Sequence, residues 1–254
     1  MNLFDTTGMT MNTVQWHSAK LTHAGNVRDY NEDACLVLEQ PRLWVVADGM
    51  GGHEAGDVAS NLIMQELKQL NPTTTLNDYI DNVDDKLIAV NNKLRSMARE
   101  KYNNRTVGST VVTMLTCDKN IAYLWAGDSR LYRIRDNKLT RLTTDHSEVQ
   151  NLIEQNLLLP EEAESHPSAN VITRAIGAVD NLYLSVGLEE IMNNDIYLLC
   201  SDGLYRDITD YELLKNSLQK NPTQITNDLM SLALSREAKD NITIVVTQCV
   251  LTEI

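Results

Sequence analysis

Residues 43–56 read LWVVADGMGGHEAG, and the rest of the chain is organised around this stretch. Its first five residues are apolar and have the length of a buried strand, which stops at the carboxylate of Asp48. Four glycines among the next eight residues let the backbone come closer to a ligand than side chains would permit. An apolar pattern with helical spacing follows. The stretch therefore predicts a cation site at the end of a strand, although one Asp-Gly pair is also a common hairpin turn.

The composition predicts one globular domain. The chain has 254 residues, of which 43% are hydrophobic, and strand-rich folds of this size are commonly single domains. We expect a flexible leader over residues 1–12 and one domain over residues 13–254. The 35 acidic and 22 basic residues leave a net charge of -13, which repels phosphate backbones and argues against nucleic-acid binding.

The cysteines and the N-terminal residues indicate a reducing compartment. Cys35, Cys117, Cys200 and Cys249 are far apart and lie in or beside apolar runs, so we expect buried free thiols rather than disulfides or zinc ligands. Residues 1–12 lack the basic start and apolar segment of a signal peptide. No stretch reaches the roughly 20 apolar residues of a membrane span. We expect a cytoplasmic monomer without membrane attachment.

The periodicity predicts an α+β fold. Extended and helical patterns come in blocks: strands, two helices, strands, two helices and a closing strand. The expected architecture is a four-layer αββα sandwich, with two antiparallel β-sheets flanked by helix pairs. Strands are predicted at residues 14–22, 35–39, 43–47, 109–117, 121–126, 131–135, 138–142, 182–188, 195–200 and 242–246, and helices at 54–70, 76–97, 146–156, 210–218 and 223–234.

Two features of this pattern matter for a site. The four strands between residues 109 and 142 are expected to form one meander, with tight turns between them. Residues 157–169, here called the flap, are irregular and acidic and contain Pro160 and Pro167. This segment is either a mobile cover over a site or a plain surface loop.

Four carboxylates occupy equivalent places in the predicted strands. Asp48 and Asp202 come directly after buried strands, Asp128 lies in a turn, and Asp240 immediately precedes the last strand. Each acid alone is more often a turn residue or a helix cap. If the sheets stack, however, their loops meet at one rim, where clustered carboxylates repel one another unless cations are bound. Ligation by oxygen alone favours Mg²⁺ or Mn²⁺ over zinc or copper.

Seven short motifs, in this order, resemble those of the bacterial branch of the metal-dependent type 2C (PPM) protein serine/threonine phosphatases. The resemblance covers almost the whole chain after the leader, and a set of motifs in a fixed order is highly specific. The motifs are RDYNED (28–33), DGMGGHEAG (48–56), GST (108–110), GDSR (127–130), TRAIG (173–177), SDGL (201–204) and DN (240–241).

The resemblance implies a centre of two divalent ions. Asp48 would bridge both ions, and Asp202 and Asp240 would complete the protein ligands of the first. The carbonyl of Gly49, with Glu32 acting through water, would serve the second. A water held between the two cations would lose its proton near neutral pH and attack the phosphomonoester in line, so that no phosphoenzyme is required.

The resemblance also implies roles around this centre. Asp33 would hold water or orient the ligands, and Asp128, together with Asp202, would bind a weaker third ion. Thr110 and Arg174 match family positions and are expected to support the sheets and the flap.

Two further residues are candidates for contact with the substrate. The planar donor fork of Arg28 suits a phosphate, whereas its alternative is a surface salt bridge to Asp29 or Glu32. His53 is the candidate general acid for the leaving alkoxide, or else a histidine with structural hydrogen bonds only. The sequence excludes two other kinds of site. The glycines are not followed by the Gly-Lys-Ser/Thr of a nucleotide-binding loop, and His53 is not followed by the second histidine of a zincin.

The expected function is hydrolysis of phosphoserine and phosphothreonine in proteins, with Mg²⁺ or Mn²⁺ as cofactor. The expected partners are phosphorylated proteins, including a cognate Ser/Thr kinase and its substrates. The alternatives are a catalytically silent member that binds or scaffolds phosphoproteins, and a metal-dependent hydrolase of small phosphate esters. Every metal carboxylate of the family pattern is present, which argues against the silent alternative.

Overall fold

Two antiparallel β-sheets packed face to face form the centre of the protein. The structure is a computed structural model that describes residues 12–52 and 55–253. In chain order the described elements are β1 (Asn12–His23), β2 (Asp33–Leu38), β3 (Leu43–Met50), α1 (Ala55–Leu67), α2 (Leu76–Lys101), β4 (Gly108–Ser109), β5 (Val111–Cys117), β6 (Asn120–Ala126), β7 (Arg130–Arg135), β8 (Lys138–Arg141), α3 (Glu148–Glu154), a 3-10 helix (Pro160–Ser165), β9 (Ser185–Glu190), β10 (Ile196–Cys200), α4 (Asp202–Tyr205), α5 (Asp210–Ser217), α6 (Pro222–Leu234) and β11 (Ile242–Glu253).

The layers have the predicted αββα order. One sheet has the strand order β2-β3-β5-β6-β9, with β4 paired to β3, and the other has the order β1-β11-β10-β7-β8. Helices α1 and α2 pack on the first sheet, and α5 and α6 pack on the second. Between the sheets lies an apolar layer that includes Trp44, Met114, Tyr197 and Val245. Strands covered on both faces are apolar throughout, as in residues 43–47.

The predicted meander over residues 109–142 is wrong. β5 and β6 pair within the first sheet, whereas β7 and β8 pair within the second. The chain crosses between the sheets at residues 127–129. There Gly127 has a φ of +111°, a backbone conformation that residues with a side chain rarely adopt. The sequence pattern does not show the crossing, because consecutive extended segments joined by short turns are typical of hairpins within one sheet.

Smaller differences concern the ends of elements. The predicted strand at 182–188 is observed as Ser185–Glu190, and the last strand continues from Ile242 to Glu253 because β1 pairs with it along its whole length. Asn221 caps the N-terminus of α6, and Pro222 occupies its first turn. Residues 1–11 of the predicted leader lie outside the described residues, and Asn12 already begins β1.

The four cysteines are free thiols, as predicted. Cys200 and Cys249 are buried, but Cys35 and Cys117 are partly exposed, so the expectation of four buried thiols is wrong for these two. Each of the helices in the described part of the chain is too short or too polar to cross a lipid bilayer.

Candidate metal centre

The structure brings the predicted carboxylates together at one rim of the sandwich. Asp33 and Asp48 are direct partners across β2 and β3. The Asp48 carboxyl lies within hydrogen-bonding reach of Asp202, which begins α4 at the end of β10. Asp128, in the crossing between the sheets, and Asp240, before β11, are close enough for their charges to act on Asp48. Residues distant in sequence therefore form a single acidic cluster.

Hydrogen bonds to its backbone hold Asp48 in place. The sequence predicts that the strand ends before Asp48, but β3 continues to Met50 because Gly49 and Met50 pair with β4. Thr110 accepts from the Asp48 backbone N at 3.1 Å and donates its own backbone N to the Asp48 carbonyl at 2.8 Å. Ser109 Oγ donates to the same carbonyl at 2.9 Å. Thr110 thus positions the central carboxylate as well as joining the strands.

Glycines bring the backbone of the site into close contact. A Cβ on Gly49 would lie 2.1 Å from the Gly56 carbonyl oxygen and 2.6 Å from the Glu32 carbonyl oxygen. A Cβ on Gly56 would lie 2.7 Å from Glu32 Oε1. Side chains at either position would push the Glu32 loop away from β3. The glycines therefore let Glu32 and the Gly49 backbone approach each other beside Asp48.

Asn241 fixes the loop that carries Arg28 and Glu32. Its Oδ1 accepts from the Glu32 backbone N at 2.8 Å, and its Nδ2 donates to the Ala24 and Tyr30 carbonyls at 3.0 and 2.9 Å. No role beyond a place in the DN motif is predicted for Asn241 from the sequence. An asparagine directly before a buried strand, next to a predicted ligand, is the signal that could have identified it.

Arg28 forms an ion pair within the cluster. Its Nη2 lies 3.0 Å from Asp240 Oδ2, and 55% of its side chain is exposed. The alternative prediction of a surface salt bridge to Asp29 or Glu32 is therefore wrong about the partner. Because the guanidinium is largely exposed, its remaining donors face the solvent side of the rim and are available to an anion.

Burial and mutual repulsion weaken the acidity of the cluster. Burial raises the pKa of Asp48 well above its ordinary value, and the charges of Asp33 and Asp202 raise it further. Burial likewise raises the pKa of Asp33 and of Asp128, each to about 7. The pKa of Asp202 is raised by burial, although Arg206 opposes the shift. Such a cluster ionises readily only when cations offset its charge.

Three oxygens in this cluster are buried without a hydrogen-bond partner in the described structure: Glu32 Oε1, Asp33 Oδ1 and Asp128 Oδ1. Leaving a buried acceptor unpaired costs about 1–3 kcal/mol, so their grouping at one rim indicates a missing ligand. A donor set made of oxygen atoms alone fits Mg²⁺ or Mn²⁺.

The carboxylates are not, however, closed around an ion. Among residues 12–52 and 55–253, no three Asp, Glu, His or Cys side chains converge as tightly as metal ligation requires. Two arginines instead neutralise part of the negative charge of the carboxylates. Arg28 pairs with Asp240, and Arg206 Nη2 lies 2.8 Å from Asp202 Oδ2. Like-charged carboxylates separate unless a cation stands between them, and these guanidinium groups are the cations within reach.

The family model described as protein phosphatase 2C matches residues 23–237. The chain belongs to the protein phosphatase 2C family. The serine/threonine protein phosphatase PstP of Mycobacterium tuberculosis is 34% identical over 89% of this chain, and the match covers 43% of PstP. The chain thus spans less than half the length of that curated relative.

Solved structures of the protein phosphatase 2C family superpose on the whole sandwich. The structure of PppA from Pseudomonas aeruginosa, described as a key regulatory component of T6SS, has a TM-score of 0.87 and 39% identity, over 94% of this chain and all of that one. The catalytic domain of a PstP, solved with two manganese ions, has a TM-score of 0.84 and 31% identity, over 94% and 100%. The recognition made from the motifs is confirmed, and the fold is the one in which this family holds divalent metal.

Other predicted site residues have mixed outcomes. His53 lies outside the described residues, so its role as general acid stays a prediction. Arg174 lies beside the first sheet, at the start of β9, and its support of the flap stays a prediction. Its Nη1 lies 3.0 Å from His146 Nε2, it donates to Ser185 Oγ at 3.0 Å, and its guanidinium stacks on Tyr183.

His146 is a structural residue in this phosphatase-family fold. Its ring stacks on Trp125 at 5.7 Å, and its Nδ1 accepts from the Gly127 backbone N at 3.1 Å. Burial and, to a smaller extent, the charge of the neighbouring Arg174 lower the pKa of His146 to about 4. The neutral imidazole therefore connects the chain crossing that carries Asp128 with the segment leading to the flap.

A cleft of about 340 Å³ lies between the flap and the acidic cluster. Asp128 and Asp240 line its floor, and Ala163 and Asn170 line the side formed by the flap and the residue after it. The sequence missed Tyr205 and Arg206 in this wall. Tyr205 donates to the Asp128 carbonyl at 3.1 Å, and the i,i+4 spacing of Asp202 and Arg206 is the signal for their ion pair.

Proposed function

We propose that this chain is a divalent-metal-dependent protein phosphatase that hydrolyses phosphoserine and phosphothreonine. One observation carries the proposal. Asp48 lies buried among Asp33, Asp128, Asp202 and Asp240, with unpaired buried oxygens beside it, on a fold whose relatives are named serine/threonine phosphatases.

The residues that would hold two ions fit the donor set at the rim. Asp48 would contact both ions, Asp202 and Asp240 the first, and the Gly49 carbonyl with Glu32 through water the second. When bound, Mg²⁺ or Mn²⁺ supplies charge that stabilises an attacked phosphate and lowers the pKa of bound water. Asp33, which accepts from Ser201 Oγ at 2.7 Å through one oxygen, keeps its other oxygen for a water or ligand.

Arg28 would bind the substrate phosphate. Its fork of donors is exposed, and its partner Asp240 is one of the proposed metal ligands. Asp240 would share its charge between a bound cation and Arg28, which would leave the donors of the guanidinium to a phosphate. His53 would donate the proton to the leaving serine or threonine oxygen.

The substrates would be phosphorylated proteins, including a cognate Ser/Thr kinase and the proteins it modifies. An exposed residue such as Arg28 beside an open cleft accommodates a phosphorylated side chain that projects from a protein segment. The chain would thereby reverse the signal of that kinase in the cytoplasm.

The test uses a phosphothreonine peptide and the metal-free chain. We expect phosphate release with Mn²⁺, loss of release with chelator, and no release by the Asp202→Asn variant. A small ester assayed in parallel separates a protein phosphatase from a hydrolase of metabolites, because only the former favours the peptide in kcat/KM. Turnover that persists in chelator would contradict the proposal.

A further inference from the structure

Arg206 joins three parts of the molecule at the edge of the acidic cluster. Its Nη2 lies 2.8 Å from Asp202 Oδ2 and 3.8 Å from Asp128 Oδ2. Its Nη1 donates to Asn170 Oδ1, on the residue that directly follows the flap. One guanidinium therefore contacts two buried carboxylates and the end of the flap at the same time.

The charge at this position requires a cation. Asp128 is only 4% exposed, and its Oδ1 has no hydrogen-bond partner in the described structure. Arg206 is the arginine that lies between Asp128 and Asp202, and it remains charged at any physiological pH. A divalent ion bound to the same pair of carboxylates would stand within a few ångströms of the guanidinium, where the two positive charges repel each other.

We propose that Arg206 is a built-in cation that takes the place of a third metal ion between Asp128 and Asp202 and fastens the flap to the metal centre through Asn170. The inference rests on the proposed two-ion phosphatase centre and adds a positioning residue to it. A third ion binds this chain only when Arg206 leaves the two carboxylates. The expectation that Asp128 binds a third ion therefore applies to a chain that lacks this arginine.

The geometry connects ion binding to the shape of the cleft. Asn170 and Ala163 line the same cleft as Asp128 and Arg206. The Arg206 contact to Asn170 therefore fixes the position of the flap side of the cleft relative to Asp128 on its floor. Release of Arg206 would free the flap side of the cleft and open a binding position for a divalent ion.

The experiment counts ions and follows the flap in the same variants. Mn²⁺ is titrated by calorimetry into the metal-free full chain, and hydrogen exchange is measured over residues 157–170 in saturating Mn²⁺. Wild type is expected to bind two ions. Arg206→Ala is expected to bind a third, weaker ion and to exchange about tenfold faster over these residues, the effect of losing one charge-assisted hydrogen bond.

Three further variants separate the parts of the proposal. Asn170→Ala is expected to speed exchange over residues 157–170 while keeping two ions, because Arg206 still pairs with the carboxylates. Arg206→Lys keeps the positive charge and is expected to stay at two ions. Arg99→Ala removes an exposed arginine near the end of α2, and it is expected to match wild type in both measurements.

The outcomes distinguish this inference from the proposed function. Three ions in wild type, or two ions in both wild type and Arg206→Ala, would overturn the role of Arg206. No saturable Mn²⁺ binding in wild type would overturn the two-ion centre itself. If circular dichroism shows that Arg206→Ala is unfolded, Arg206→Gln takes its place, with the same expected third ion.

Discussion

The two ends of strand β10 each carry a buried aspartate, and the two aspartates have opposite surroundings. Asp195, before the strand, accepts from Arg135 Nε at 2.7 Å and Nη2 at 2.6 Å, from the Met192 backbone N at 2.7 Å and from Tyr197 at 3.1 Å. Both of its oxygens are satisfied within the protein. Such a carboxylate stabilises the fold and needs no ligand.

Asp202, after the strand, lies among other acids instead. Arg206 is its cationic partner, yet burial still raises its pKa, and neighbouring Asp33 and Asp128 each have one oxygen without a partner in the described part of the chain. The same residue type therefore stabilises one end of the strand and destabilises the other. The difference shows that unsatisfied acids, rather than buried acids as such, indicate the site.

The largest expected effect is on activity and comes from the acidic cluster, which lies at the end of β10 that carries Asp202. Asp48→Asn should lower kcat by at least about 10³-fold, because loss of a shared metal ligand removes several kcal/mol of transition-state stabilisation. The metal-free variant should unfold at the same temperature as wild type or higher, since a buried charge is removed. Phosphopeptide kinetics and thermal unfolding measure both. A variant that is inactive because it is unfolded would contradict this description.

A substitution of Asp195, at the other end of β10, should lower the stability of the fold rather than the activity. Asp195→Ala leaves the Arg135 guanidinium half-buried without its partner and should lower the free energy of unfolding by about 3–5 kcal/mol. Urea denaturation measures the loss. Activity per folded molecule should stay within twofold of wild type, and a large fall in kcat at full folding would erase the distinction between the two ends.

A smaller effect is expected at the phosphate. Arg28→Lys keeps the charge but loses the planar fork, so kcat/KM for a phosphopeptide should fall by about 10–100-fold, the value of a charge-assisted hydrogen bond. Lys20→Arg, a change at an exposed lysine on β1 and outside the loop that carries Arg28, is the control. Equal kinetics for Arg28→Lys and wild type would remove Arg28 from substrate binding.

The smallest effect concerns pH and lies at the base of the flap. The folded protein holds His146 neutral with a pKa of about 4, below its ordinary value of 6.5. The unfolded chain therefore binds a proton first as the pH falls, so stability from this residue is complete above about pH 6.5 and is lost towards pH 4. Urea midpoints across this range should fall less steeply for His146→Gln, and identical slopes would contradict the shift.

The motifs that are continuous in sequence were predictable. Asp48 follows an apolar strand and precedes glycines, so its position and chemistry could be inferred before the fold was known. The pairing of Asp33 with Asp48 follows from the short connection between β2 and β3, which fixes the register.

Other features depend on contacts between distant residues. The bond from Arg206 to Asn170 requires the flap to return beside α4, and no local pattern records that path. The crossing at Gly127 escaped prediction because β6 and β7 are joined by a short turn, which is typical of a hairpin within one sheet. Local periodicity predicts the elements, whereas their assignment to sheets depends on the packing of the whole sandwich.

The central claim is that the acids around Asp48 bind divalent cations and that Asp195 does not. Crystals grown with Mn²⁺ and measured at the manganese absorption edge test it directly. The account predicts two anomalous peaks in contact with Asp48, shared with Asp202, Asp240 and the Gly49 carbonyl, and no peak at Asp195. A map without peaks beside Asp48, in which Arg28 still pairs with Asp240, would contradict it.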